Sequence, residues 1–357
     1  DDLRRRETVR INIYHAPGAG GSTLGRRILW ELHERYPAVV LQNCDAKLTA
    51  ERIARVSTLT ESGVLILVDG GRHSEGEIDD LFDHLKAQQV RAVIIQILRR
   101  FSPQKEGRRQ FWLPTELSDV EADRFQNALS AESPSAAKQL AMLAKSPGKL
   151  RSSFFFGLTA FGRDFSALEN YVMVRLTPLS DDQKKVLTFL SLTHYYGQQS
   201  LPAQAFASLL GLPPSRPVSL ENMFQGDSAI ALELLVEEPV GEWRTAHNAI
   251  ALEILQQVLA RGDKEDRTVL WRQGLSSWSK MLADFLRSDG PIASGRLMEL
   301  TRRVFVYRDN AEILGTERAS GRRFSQLLED IPSPQGRVDV MRHLSTLFPG
   351  ESHFHAH

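Results

Sequence analysis

The segment 15–23 reads His15-Ala16-Pro17-Gly18-Ala19-Gly20-Gly21-Ser22-Thr23, lying between an apolar run and an amphipathic stretch. Glycines let successive backbone N–H groups converge on one anion, and the start of a following helix adds unpaired donors and the positive end of its dipole. The chemistry such a loop serves is phosphate binding. Against the phosphate-loop pattern G-x-x-x-x-G-K-[ST], Gly20 takes the second glycine and Ser22 the hydroxyl that holds Mg2+. His15 stands for the first glycine, and Gly21 stands where the lysine is expected. The cation that lysine would bring to the β and γ phosphates must then come from elsewhere. Arg26 and Arg27 lie one turn into the helix. Arg99 and Arg100 end an apolar run, and ligands of open α/β sheets sit at the carboxyl ends of strands, which makes this second pair the preferred substitute.

A second constellation is Val64-Leu65-Ile66-Leu67-Val68-Asp69, an apolar strand ending in one acid. It suits a carboxylate that holds Mg2+ directly or through water, and Asp69 is the catalytic candidate. Hydrolysis in many such sites also uses a glutamate beside that aspartate. Here Gly70, Gly71 and Arg72 follow, and the nearest acids are Glu75 and Glu77, so slow or absent hydrolysis is the expectation. The third element is Trp243-Arg244-Thr245-Ala246-His247, where a strand hands over to a helix; a histidine there is more often a cap or a packed surface residue than a ligand. His353, His355 and His357 alternate at the end of the chain without a cysteine or carboxylate pattern to complete a metal site. No G-x-S-x-G is present for a nucleophile elbow.

The elements that must position these residues follow from the hydrophobic pattern. Apolar runs at 10–14, 38–42, 64–68 and 92–98, with a weaker one at 110–113, alternate with helical stretches, as in a parallel sheet with crossover helices. Leu24, Ile28 and Leu32 recur every four residues and give the first crossover an apolar stripe. After Pro114 the pattern turns to helices separated by Ser133-Pro134 and Ser146-Pro147-Gly148. From Leu179 the spacing predicts helices over 180–196, 202–210 and 230–235, then a hairpin of strands 234–237 and 242–245, which together suggest a winged helix. From Asn248 the chain is helical by period, with stops near Gly290-Pro291, Ile331-Pro332 and Pro349-Gly350, and 338–348 reads as the start of a helical hairpin that is cut. The expected division is an α/β phosphate-binding domain over 1–115, a helical lid over 116–178, a winged helix over 179–247 and a helical region opening a set of repeats over 248–357.

Bulk composition narrows the function classes. Lys plus Arg equals Asp plus Glu at 44 each, so no global field draws the chain to nucleic acid or an anionic membrane. The predicted helix 202–210, the recognition element of a winged helix, contains no Arg or Lys, which argues against groove binding. Cys44 is the single cysteine, so there is no internal disulfide framework, and no segment approaches the roughly 20 apolar residues of a membrane span. A cytoplasmic chain with no membrane partner is expected.

Taken in order, these parts resemble the STAND class of signal-transducing P-loop NTPases, which includes NACHT and NB-ARC proteins. Pro17-Gly18-Ala19-Gly20-Gly21-Ser22-Thr23-Leu24 is similar to the family's P-G-x-G-K-S-T-L with the lysine changed. Val64 to Asp69 resembles its Walker B strand, Ile97-Leu98-Arg99-Arg100 the strand that ends in a sensor arginine, and 111–122 the passage into a helical lid. The likeness covers about residues 8–260. The lysine-free loop followed by Leu29-Trp30-Glu31-Leu32 resembles the NTPase region of antiviral proteins bearing a sterile alpha motif and of their bacterial STAND relatives. The resemblance implies ATP or ADP with Mg2+ as ligands, His247 as a nucleotide contact, a homo-oligomer on activation, and effector and sensor domains outside this fragment. It implies a switch module of a multidomain innate-immune or antiphage protein. The alternatives are a nucleotide-independent interaction scaffold and a winged-helix regulator that binds nucleic acid.

Overall fold

The protein is described by a computed structural model covering residues 7–16, 18–69, 73, 75–100, 106–146, 148–162, 167–213, 216–238, 241–260, 267–287, 294–306 and 325–354. It divides into two compact units, Asp1–Arg163 and Asp164–His357.

The first unit alternates strand and helix: β1 (Thr8–His15), α1 (Gly21–Leu32), β2 (Ala38–Val40), α2 (Ala46–Thr60), β3 (Val64–Asp69), α3 (Glu75–Ala87), β4 (Ala92–Arg99) and β5 (Gln110–Leu113). All five strands are parallel, in the order β2-β3-β4-β1-β5. Helices cover both faces. Leu24, Ile28, Leu29 and Leu32 of α1 pack on Val9, Ile13, Leu65, Leu67, Val93, Ile95 and Ile97, while α2 and α3 pack on Val64, Ile66, Val68, Ala92 and Ile94. Two-sided burial is why β3 reads as an unbroken apolar run and β4 as one interrupted by the buried Gln96. A Cβ on Gly25 would lie 2.8 Å from a Leu67 methyl and 3.0 Å from Ile97, so this glycine lets α1 lie close on the sheet.

The strands sit where the apolar runs place them, with different ends. β3 and β4 each continue into a polar residue, Asp69 and Arg99, which hydrogen-bonds in the ladder but leaves no trace in hydropathy. β2 stops at Val40. The unit closes with α4 (Asp119–Glu132), α5 (Ala137–Ala144) and α6 (Ser153–Phe161), packed around Ala122, Leu140 and Phe156. A capping box between Ser118 and Glu121 starts α4.

The second unit contains α7 (Leu168–Leu176), α8 (Asp181–Gly197), α9 (Leu220–Met223), α10 (Asn248–Leu259), α11 (Arg267–Arg287), α12 (Ser294–Phe305), α13 (Gln326–Asp330) and α14 (Pro334–Leu347). Its strands β6 (Leu201–Pro202), β7 (Leu235–Glu238) and β8 (Glu242–Thr245) form an antiparallel sheet in the order β6-β8-β7. α8 is buried on every side from Val186 to His194, as a helix at the centre of a core must be.

Two predicted helices are replaced here. Over 202–210 the chain makes the short β6 and a 3-10 turn, Ala203–Phe206. Ala205, Phe206 and Ala207 are buried in succession, which a one-faced helix does not provide, and Gly211 turns away at φ 63. The stretch expected as a helix through 230–235 is a 3-10 segment, Gly226–Leu234, leading directly into β7. The hairpin strands pair antiparallel as expected. The stop at Gly290-Pro291 lies outside the described residues, as do His355 and His357. Among the described residues no helix is long and apolar enough to cross a membrane.

Candidate functional site

Strand register gathers the first set of residues. His15 is paired with Arg99 on one side and with Leu113 on the other, and Asp69 is paired with Ile97. The carboxyl ends of β1, β3, β4 and β5 therefore share one rim of the sheet, and the loop out of β1 begins there. Its entry is held by Ala16 N donating to Leu113 O at 3.3 Å and Arg100 N donating to His15 O at 2.9 Å. Gly18 and Gly20 have φ 80 and φ 87, left-handed values that side chains disfavour.

Gly20 is the N-cap of α1, and no side chain caps that helix. The first N–H groups of a helix have no partner within it, so those of Gly21, Ser22 and Thr23 stand at the head of an uncapped dipole. Leu24 N, the next in line, donates to Gly20 O at 2.9 Å. Ser153, the first residue of α6, reaches the same place: a Cβ on Gly20 would lie 3.7 Å from its Oγ. Pro17 lies outside the described residues, as do Gly70, Gly71 and Arg72.

The two residues read as Mg2+ holders touch. Ser22 Oγ donates to Asp69 Oδ1 at 2.7 Å, and Arg26 donates to Asp69 Oδ2 at 3.4 Å. A hydroxyl and a carboxylate side by side are hard oxygen donors of the kind Mg2+ takes in company with substrate phosphates, so the residues present fit that ion. Asp69 is only 10% exposed whereas Arg26 is 71% exposed, so the arginine can leave without uncovering the rest of the rim. The sequence favours the strand-end pair over Arg26 and carries no sign of the link between Arg26 and Asp69.

Arg99 and Arg100 are both buried, unusual for arginine. Arg100 lies over the Tyr14 ring, 5.3 Å from its centre, and donates to Arg99 O at 3.1 Å. Their positive charge is felt at His15. The pKa of that imidazole is lowered to about 4, first by burial and further by Arg99 and Arg100, against a raising contribution from Asp69 and from the hydrogen bond to Ala16 O. Since a carbonyl can only accept, Nδ1 carries the hydrogen in the 2.9 Å contact with Ala16 O. In the sequence His15 stands out only as the occupant of a glycine position.

His247 belongs to the second unit. It is the N-cap of α10, where its Nδ1 accepts from Ala249 N at 3.1 Å. With Nδ1 accepting, the hydrogen of the neutral ring sits on Nε2. Nearby, buried His194 and Thr245 hydrogen-bond through Nδ1 and Oγ1, tying α8 to β8.

No protein-family profile matches the chain. It is 25% identical over 274 residues to human sterile alpha motif domain-containing protein 9-like, a match covering 70% of this chain and 17% of that protein. It is 27% identical over 128 residues to human sterile alpha motif domain-containing protein 9, covering 30% of this chain and 8% of that protein. The chain thus spans less than a fifth of the length of these relatives. Among solved structures, it is similar to a signal transduction ATPase with numerous domains from Pyrococcus horikoshii that carries a tetratricopeptide repeat sensor. That match has a TM-score of 0.42 at 13% identity, and covers 96% of this chain and 52% of that one.

Proposed function

We propose that the chain is a nucleotide-binding switch module of a larger signalling or defence protein, taking ATP or ADP with Mg2+ and hydrolysing ATP slowly or not at all. The observation that carries it is the Ser22–Asp69 hydrogen bond at the head of a helix that no side chain caps. In this assignment the N–H groups of Gly18 and of residues 20–23 hold the phosphates, Ala19 N donating instead to Ala16 O; Ser22 and Asp69 hold Mg2+, and Arg99 and Arg100 supply the positive charge that the loop lacks. The ion would neutralise charge between neighbouring phosphates when bound. No acid directly follows Asp69 in the sequence, so the chain offers no evident group there to orient a water, and binding outlasts chemistry. His247 is included as a further nucleotide contact through Nε2, and segments 116–178 and 179–247 as lid and winged helix.

Similarity to the sterile-alpha-motif proteins supports a STAND-like assignment, in which nucleotide state biases assembly into a homo-oligomer. A nucleotide can do so only by binding two arrangements of the protein with different affinity. Innate-immune or antiphage defence is the corresponding cellular role, in the cytoplasm.

Isothermal titration of the chain with ATP and with ADP, each with and without Mg2+, tests this. Binding that depends on Mg2+ and weakens about tenfold in Ser22→Ala is expected. Absence of heat with both nucleotides would sink the assignment and leave an interaction scaffold. Light scattering in each nucleotide tests assembly separately; an identical mass in ATP, in ADP and without nucleotide would remove the switch.

A further inference from the structure

Gly21 lies inside α1 and is not among the glycines with positive φ, so its backbone conformation does not call for glycine. Its surroundings do. A Cβ at this position would lie 2.5 Å from His15 Cδ2, 2.6 Å from Cγ and 2.8 Å from Nε2, well inside van der Waals contact. The ring cannot easily retreat, because its Nδ1 is held by Ala16 O and its backbone is fixed between β4 and β5.

We propose that His15 and Gly21 form one interlocked device in which the imidazole fills the space where a lysine side chain would leave the helix. His15 is thus the residue that keeps the phosphate loop lysine-free, a specificity determinant acting by shape. Both departures from the phosphate-loop pattern then have a single cause, since a glycine at 15 would leave room for a side chain at 21. The loop grips a polyphosphate with backbone N–H groups alone, and the cationic part passes to β4. The ligand half of this inference rests on the phosphate-site assignment above; the steric half does not.

The test separates the two. Thermal melts of the nucleotide-free chain are recorded for wild type, Gly21→Ala, His15→Ala and the double variant. In the His15 background Gly21→Ala should lower the midpoint by about 2–4 °C, the shift that a small clash gives in a unit of this size. In the His15→Ala background the same change should raise it, because alanine is the better helix former. An effect of the same sign and size in both backgrounds would overturn the interlock. Titration with Mg2+ and ATP is then run on Gly21→Lys and on His15→Gly/Gly21→Lys. The double variant should bind at least about tenfold tighter than the single one, the worth of a lysine on the phosphates; equal affinity would overturn the ligand half. No heat from any variant, with coupled melts, would overturn the nucleotide assignment and the ligand half with it, while the steric coupling would stand.

Discussion

Each unit has a junction where a strand passes into a helix beside a histidine, and the two junctions are finished in opposite ways. At β8 to α10 the histidine side chain turns back and accepts Ala249 N, so the helix end is satisfied by its own protein. At β1 to α1 the histidine donates to Ala16 O, the N-cap is a left-handed glycine, and no side chain caps the helix. Capping groups contribute about 1 kcal/mol, so leaving α1 without one has a cost that a bound anion can offset. The open end is also where Asp69, Ser22, Arg99 and Arg100 converge. In the proposed function the anion is held at the open start, beside these groups; α5, α6 and α7 also begin without a side-chain cap.

The largest expected effect that probes this contrast comes from pH. Because His15 has its folded pKa lowered from 6.5 to about 4, the folded state resists protonation that the unfolded state accepts. Its contribution is fully present above about pH 6.5 and is lost as pH falls toward 4. That loss is about 1.4 kcal/mol per pH unit and on the order of 3 kcal/mol in all. Urea unfolding at pH 7 and pH 4.5 should show a smaller difference for His15→Asn than for wild type, and an equal difference would place His15 in water.

Next in size is Asp69→Ala. Removing the carboxylate takes away a partner of Ser22 and, in the proposed function, a holder of Mg2+, and affinity for Mg2+ with ATP should fall about 10- to 100-fold by titration. If binding is unchanged, the acid at the end of β3 serves only its hydrogen bonds to Ser22 and Arg26.

His247 probes the closed end. His247→Ala should destabilise α10 by about 1 kcal/mol, read as a lower unfolding midpoint, while His247→Asn keeps a capping acceptor and should stay near wild type. If the ring also meets nucleotide, both variants lose affinity; if affinity holds in both, the ring takes no part in binding. The smallest effect is expected of Arg26→Ala. An exposed pair contributes at most about 1 kcal/mol, so stability should change little, and a large loss of nucleotide affinity would promote Arg26 over the β4 arginines.

Much of the first unit was legible because its physics is periodic. Strands buried on two faces leave apolar runs, and a loop of glycines between a strand and a stripe of leucines says where a helix begins. The second unit was harder, since segment 203–206 buries neighbours in succession and segment 226–234 buries Ser228, Ala231 and Leu234, a period of three that is easily taken for a turn of α-helix. In the site, Ser22 and Asp69 were readable from their places at a helix start and a strand end. The contact between His15 and Gly21 was not, because it depends on how the loop folds back over a ring. A histidine and a glycine at the two substituted positions of one motif were the only trace, and six residues of separation gave no reason to pair them.

The most direct test of the central claim compares the two junctions in one spectrum. Backbone amide resonances would be followed in the intact chain while Mg2+ and ADP are added. The amides of Gly20, Gly21, Ser22 and Thr23 should show the largest shifts, with that of Ala249 moving less, since a nucleotide reaching His247 Nε2 leaves the Nδ1 hydrogen bond to Ala249 N in place. Loop amides that stay still while ADP binds, or shifts confined to the start of α10, would contradict the account.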